Sequence, residues 1–138
     1  MIYVVIQFGA IFFLIANTQI EKFDIFSITL LTLSLFIGIT ALINMRPSNL
    51  NIVPMLKENH QLVITGIYKY IRHPMYTSVI FLCLGLLLTN PSLTNQLVMF
   101  ILVVNLWFKS SFEEKLLTSR FSNYENYKKN TARFLPFI

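Results

Sequence analysis

Gly66-Ile67-Tyr68-Lys69-Tyr70-Ile71-Arg72-His73-Pro74-Met75-Tyr76 stands between two long apolar parts of the chain. It carries Lys69, Arg72, His73 and the tyrosines Tyr68, Tyr70 and Tyr76, more polarity than a spacer between membrane helices needs. Pro74 has no amide proton and a fixed φ, so it suits the first turn of the apolar helix that follows and leaves His73 at that helix's N-terminus. A polar loop feeding a helix N-terminus is a favourable place for anions.

Outward from this stretch the chain is apolar in blocks. Of 138 residues, 55% are hydrophobic and 12% charged, which is far from a soluble average and points to one integral membrane domain. The blocks approach the length that crosses a roughly 30 Å hydrocarbon layer as a helix, not the short alternating segments of a membrane barrel. The reading is an all-α integral membrane protein with about four transmembrane helices, at residues 2–18, 25–45, 74–90 and 93–112, and a cytoplasmic C-terminal amphipathic helix. Residues 46–73 form a long connector and 113–138 a C-terminal segment, all within one domain, 1–138.

Helix 2–18 resembles a signal peptide in hydrophobicity but lacks a basic flank and a convincing cleavage site, so it is expected to be retained. Ser34 and Gly38, four apart in the second helix, suit close helix packing. Asn90, Pro91 and Ser92 supply a turn that makes the third and fourth helices an antiparallel hairpin. After Trp107, the run Lys109-Ser110-Ser111-Phe112-Glu113-Glu114-Lys115 marks the exit from hydrocarbon. Phe112, Leu116, Leu117, Phe121 and Tyr124 then recur at helical spacing along an interfacial helix. The apolar ending, Arg133-Phe134-Leu135-Pro136-Phe137-Ile138, is expected to fold back onto the core.

Of eleven basic residues only Lys22 lies outside the connector and the segment from Lys109 onward. The positive-inside rule therefore puts the connector and both termini in the cytoplasm of a multi-pass protein, in the cell membrane of a bacterium or the endoplasmic reticulum of a eukaryote. The net charge of +5 is explained by this topology and by anionic lipid, which disfavours nucleic acid as a partner. One cysteine, Cys83, and two histidines thirteen apart, His60 and His73, leave no metal site and no intramolecular disulfide to expect.

Taken alone, Arg72 reads as a topology anchor on lipid phosphate, His73 as a helix cap, and Glu113-Glu114 as a polar helix end. Acids gain nothing from the dipole at a helix C-terminus, however, which tilts the pair toward function. In order, Leu62, Gly66, Tyr68, Arg72-His73-Pro74, Tyr76, Asn90-Pro91, Glu113-Glu114, Tyr124, Tyr127 and Arg133-Phe134-Leu135-Pro136 resemble the signature of the isoprenylcysteine carboxyl methyltransferase family. The related phospholipid N-methyltransferases share the connector motif followed by a Glu pair. The resemblance covers residues 60–138; where the family often has glycine two residues after the last tyrosine of the first motif, this chain has Ser78.

What the resemblance implies is an S-adenosylmethionine-dependent membrane methyltransferase, with a lipidic or prenylated acceptor that is a carboxylate or, in the phospholipid branch, an amine. Arg72 and Arg133 would act on the acceptor carboxylate, and His60, Gly66, Tyr68, His73, Pro74, Tyr76, Glu113 and Glu114 would form the cofactor site. His60 is also the candidate proton acceptor for an amine. The alternative of another class is a non-enzymatic scaffold or transporter subunit. Transport is disfavoured because the spans hold almost no ionisable residue. None of His73, Glu113 or Glu114 is expected to matter for packing.

Overall fold

A computed structural model describes residues 1–45 and 61–136. Among these residues five α-helices follow one another: α1 (Ile2–Ala16), α2 (Ile25–Asn44), α3 (Pro74–Thr89), α4 (Leu93–Arg120) and α5 (Tyr124–Lys129). Among the described residues there is no strand, and one isolated parallel bridge joins Ile71 to Ala132. Two helices, α2 with 20 residues and α4 with 28, are long and apolar enough to cross a membrane. The other two apolar helices have 15 and 16 residues, or about 22–24 Å at 1.5 Å per residue.

The start signals are local. Asp24 accepts from the Ser27 amide at 2.8 Å and from the Ser27 hydroxyl at 2.7 Å, capping α2. Ser92 caps α4 through the Asn95 amide at 3.3 Å, and Pro74 opens α3 with His73 as its N-cap. One expected boundary is overturned: α4 does not stop near Phe112 but continues to Arg120. The run from Lys109 to Arg120 holds no Gly or Pro and is rich in Glu, Lys and Leu, so its polarity does not break the helix. At about 42 Å, α4 outruns a roughly 30 Å apolar layer by about eight residues. The expected interfacial helix is in fact the projecting end of α4, then a break at Phe121, then the six-residue α5.

The helices alternate in direction. At one end Asn90 Nδ2 donates to the Asn17 carbonyl at 2.9 Å and the Gln19 amide to Thr89 Oγ1 at 3.2 Å. At the other, the Ile67 amide donates to Asn44 Oδ1 at 2.8 Å, joining the end of α2 to the short 3-10 turn Gly66–Lys69. Gly66 has φ +61°, and a Cβ there would lie 1.7 Å from Asn44 Oδ1. Only glycine satisfies both constraints.

The third and fourth helices form a hairpin, yet the main partner of α3 is α2, while α1 packs along α4. Small residues decide this. Ser34 and Ser78 exchange hydroxyl-to-carbonyl bonds of 2.8 Å each, and a Cβ on Gly38 would meet Ser78 Oγ at 2.8 Å. Ser78, where the family pattern has glycine, is thus the contact through which α2 and α3 approach. Ala10, Leu14, Cys83, Leu86, Met99, Leu102 and Leu106 fill the centre, and Phe8, Phe12, Phe36, Phe100 and Trp107 face outward.

Candidate active site

The site lies where the connector enters α3. Residues after α5 run alongside that entrance: the Arg72 amide donates to the Ala132 carbonyl at 2.8 Å, the His73 amide to the Arg133 carbonyl at 3.1 Å, and the Ala132 amide to the Tyr70 carbonyl at 3.1 Å. One turn into α3, the Thr77 hydroxyl donates to the Phe134 carbonyl at 2.5 Å. These bonds satisfy the amides of Arg72 and His73 and fold the C-terminal segment back over the motif, whose Arg72 and His73 side chains turn toward α4.

There they meet Glu114, only 2% exposed. Its Oε1 accepts from Arg72 Nε at 2.9 Å and from His73 Nε2 at 3.1 Å, and its Oε2 from Arg133 Nη2 at 3.0 Å, with Lys128 Nζ at 3.9 Å. Arg72 Nη1 also donates to the Lys128 carbonyl at 3.0 Å and to the Thr131 carbonyl. Arg133 Nη1 donates to Ser111 Oγ at 2.9 Å, and its guanidinium lies 4.2 Å over the Trp107 ring. A carboxylate so buried is tolerable because it is hydrogen-bonded and charge-paired on both oxygens.

Glu113 points another way but returns to the same imidazole. Its Oε1 accepts from the Tyr76 hydroxyl at 2.5 Å, and its Oε2 lies 3.6 Å from His73 Nδ1, too far for a hydrogen bond. The His73 and Tyr76 rings stack at 5.5 Å and 7°. His73 is therefore held between two carboxylates, with Glu113 the more open of them, its side chain 22% exposed.

Two buried hydroxyls, Tyr68 Oη and Tyr124 Oη, have no hydrogen-bond partner among the described residues. Burial, with the nearby Tyr127 and Glu113, pushes the Tyr68 hydroxyl well above its ordinary pKa. Burial and Glu114 do the same to Tyr124 against an opposing pull from Arg72. Both stay neutral donors at physiological pH. Ser111, Glu114, Lys115, Thr118, Ser119, Glu125, Lys128 and Arg133 line an open cleft of about 400 Å³.

The structure thus brings Gly66, Tyr68, Arg72, His73, Pro74, Tyr76, Glu113, Glu114 and Arg133 to one end of the bundle, Gly66 and Pro74 through their backbones. His60 lies outside the described residues. Sequence reasoning passed over Lys109, which is 3% exposed and bonded to Gln7 of α1 at 2.9 Å. The available signals were a lysine one turn before the Glu pair and the one amide inside the first apolar run.

The sequence pattern of the family described as phospholipid methyltransferase matches residues 23–124. The chain belongs to the phospholipid methyltransferase family. The match takes in Arg72, His73, Tyr76, Glu113 and Glu114 and leaves out α1 and Arg133. The chain is also 40% identical over 94 residues to the protein-S-isoprenylcysteine O-methyltransferase of Saccharomyces cerevisiae, a similarity covering 64% of this chain and 38% of that protein. This member of the family therefore spans well under two thirds of that relative's length. No solved structure matches it.

Proposed function

We propose that the chain is an integral membrane methyltransferase that uses S-adenosylmethionine to methylate a carboxylate on a lipidic or lipid-anchored acceptor. The observation that carries this reading is the convergence of Glu113, Glu114, His73, Tyr76 and Arg133 at one end of an apolar helical bundle, in a chain of methyltransferase family. The residues suit the cofactor. Its cationic and hydroxyl groups need acceptors, and Glu113 is a half-open carboxylate; its anionic end needs donors, and Arg133 keeps N–H groups beyond those given to Glu114 and Ser111. Tyr68 and Tyr124 offer two buried donors that have no hydrogen-bond partner among the described residues.

S-adenosylmethionine held there would supply an electrophilic methyl on a sulfonium sulfur, open to direct attack by an ionised carboxylate with the neutral thioether as leaving group. The protein's work is accordingly alignment and exclusion of water. Arg72, whose Nε donates to Glu114 and whose Nη1 donates to the carbonyls of Lys128 and Thr131, holds the site together. His73 fixes the relative position of the two carboxylates, and Tyr76 holds Glu113. Phe134, against His73 and Trp107, closes the side toward the apolar face.

In the same proposal all four apolar helices cross the membrane, and both termini, residues 46–73 and the site share the cytoplasmic side. The alternating helix directions and the concentration of basic residues at one end support it. The family's description favours a second reading, methylation of a phospholipid amine. Transfer of labelled methyl by purified protein to N-acetyl-S-farnesylcysteine and to phosphatidylethanolamine vesicles separates the two. Base-labile label on the prenylcysteine is expected; label on the amine lipid alone would replace the carboxylate reading, and label on neither would remove both.

A further inference from the structure

Among the described residues Lys109 is the buried ionisable side chain that the Glu114 cluster does not use. It lies on α4 one turn before Glu113, on the side of the helix's apolar part, and takes part in none of the ion pairs around Glu114. Its Nζ donates to Gln7 Oε1 at 2.9 Å and sits 4.9 Å from the centre of the Tyr76 ring, whose hydroxyl reaches Glu113. An ammonium has three N–H donors. Among the described residues Gln7 supplies the one oxygen it meets, and Gln7 is itself buried.

One neutral amide and one ring face are thin compensation for a buried cation. Among the described residues no carboxylate is in ion-pair contact with Lys109, Glu113 acting on it only at longer range, and a lysine so placed inside a membrane helix marks a path for a charged group. The two arginines are poorer candidates for the acceptor: Arg72 is engaged by Glu114 and backbone carbonyls, and the N–H groups that Arg133 keeps beyond Glu114 and Ser111 are the ones assigned above to the cofactor's anionic end. An acceptor carried by a lipid reaches the site from the hydrocarbon side, and Lys109 comes before Glu113 on that approach.

We propose that Lys109 binds the carboxylate of the lipid-borne acceptor and, by its charge, turns away protonated amines, while Gln7 of α1 positions it. The proposal rests on the methyltransferase reading for its purpose and adds the residue that selects the acceptor class. It also gives α1, which lies outside the family match, a part in the site.

The test is calorimetric titration of N-acetyl-S-farnesylcysteine and of its uncharged carboxamide into detergent-purified protein, with and without S-adenosylhomocysteine. The parent is expected to bind the carboxylate about tenfold tighter than the carboxamide, as befits a desolvated charge pair. Lys109→Met should lose that preference and raise KM for the carboxylate about tenfold, with affinity for S-adenosylhomocysteine changed by less than about twofold. Lys109→Arg should keep the preference, and Gln7→Leu should reduce it, which covers the case that Lys109→Met does not fold.

Equal binding of the two probes by the parent, or an undiminished preference in Lys109→Met or Gln7→Leu, would overturn the proposal. So would a loss of S-adenosylhomocysteine binding in Lys109→Met as large as its loss of acceptor binding. A parent that binds no S-adenosylhomocysteine would instead defeat the methyltransferase reading, and the carboxylate preference measured without cofactor would still decide the role of Lys109.

Discussion

Between α2 and α3 the chain brings two helices together with Ser34, Gly38 and Ser78, two reciprocal 2.8 Å hydrogen bonds and no ionised group. Between the start of α3, the end of α4 and the segment after α5 it does the opposite, burying Glu114 among Arg72, His73 and Arg133. The first contact is what helix packing in an apolar medium requires. The second is a poor way to gain stability, because an apolar replacement of a buried ion cluster is often neutral or better. The contrast is what favours the charged end as the proposed site of chemistry, and each half of it can be attacked separately.

The largest effect is expected at the charged end. Glu114→Ala leaves Arg72 and His73 buried without their carboxylate, which should cost about 3–5 kcal/mol of stability. Thermal unfolding in detergent should show the loss, and limited proteolysis should show residues 130–136 released from α3. A variant as stable as the parent would mean the cluster carries no structural load. Gly38→Leu attacks the neutral contact instead, where a single added Cβ already meets Ser78 Oγ at 2.8 Å. Overpacking should cost about 1–3 kcal/mol, while the folded fraction still binds S-adenosylhomocysteine within about twofold of the parent. A selective loss of cofactor binding there would blur the distinction between the two regions.

Smaller in energy but sharper in meaning is Tyr68→Phe. Removing a buried hydroxyl that has no partner among the described residues should leave stability unchanged or slightly raised, whereas losing a ligand contact should weaken S-adenosylhomocysteine binding by about three- to tenfold. A fall in stability with unchanged binding would assign the hydroxyl to the fold.

Much of this architecture was legible in the sequence. The apolar runs place α1, α2 and α3 to within about two residues, as is usual for helix ends, and Pro74 and the Asn90-Pro91-Ser92 turn give their punctuation. The small pair Ser34 and Gly38 announced the close contact, though not that its partner would be Ser78. The end of α4 was misread because Lys109, Glu113 and Glu114 look like an exit from hydrocarbon, while a helix with no breaker simply continues. The expectation that Glu114 does not matter for packing meets a side chain 2% exposed and paired with Arg72, His73 and Arg133. Its burial depends on Arg72 and Arg133, which are 42 and 19 residues away in sequence, and no local pattern carries that information. Lys109 was counted as part of a polar run because its partner Gln7 is 102 residues away.

The central claim is that the charged end is one cofactor site, and Glu113 tests it most directly, being the carboxylate whose side chain is 22% exposed and whose loss least disturbs the Glu114 cluster. Calorimetric titration of S-adenosylhomocysteine into monodisperse parent and Glu113→Gln, with unfolding temperatures measured on the same samples, is the measurement. The account requires saturable binding by the parent and binding at least about tenfold weaker in the variant, equivalent to 1.4 kcal/mol, at an unchanged unfolding temperature. Undiminished affinity in Glu113→Gln would contradict it, and so would a folded parent that does not bind.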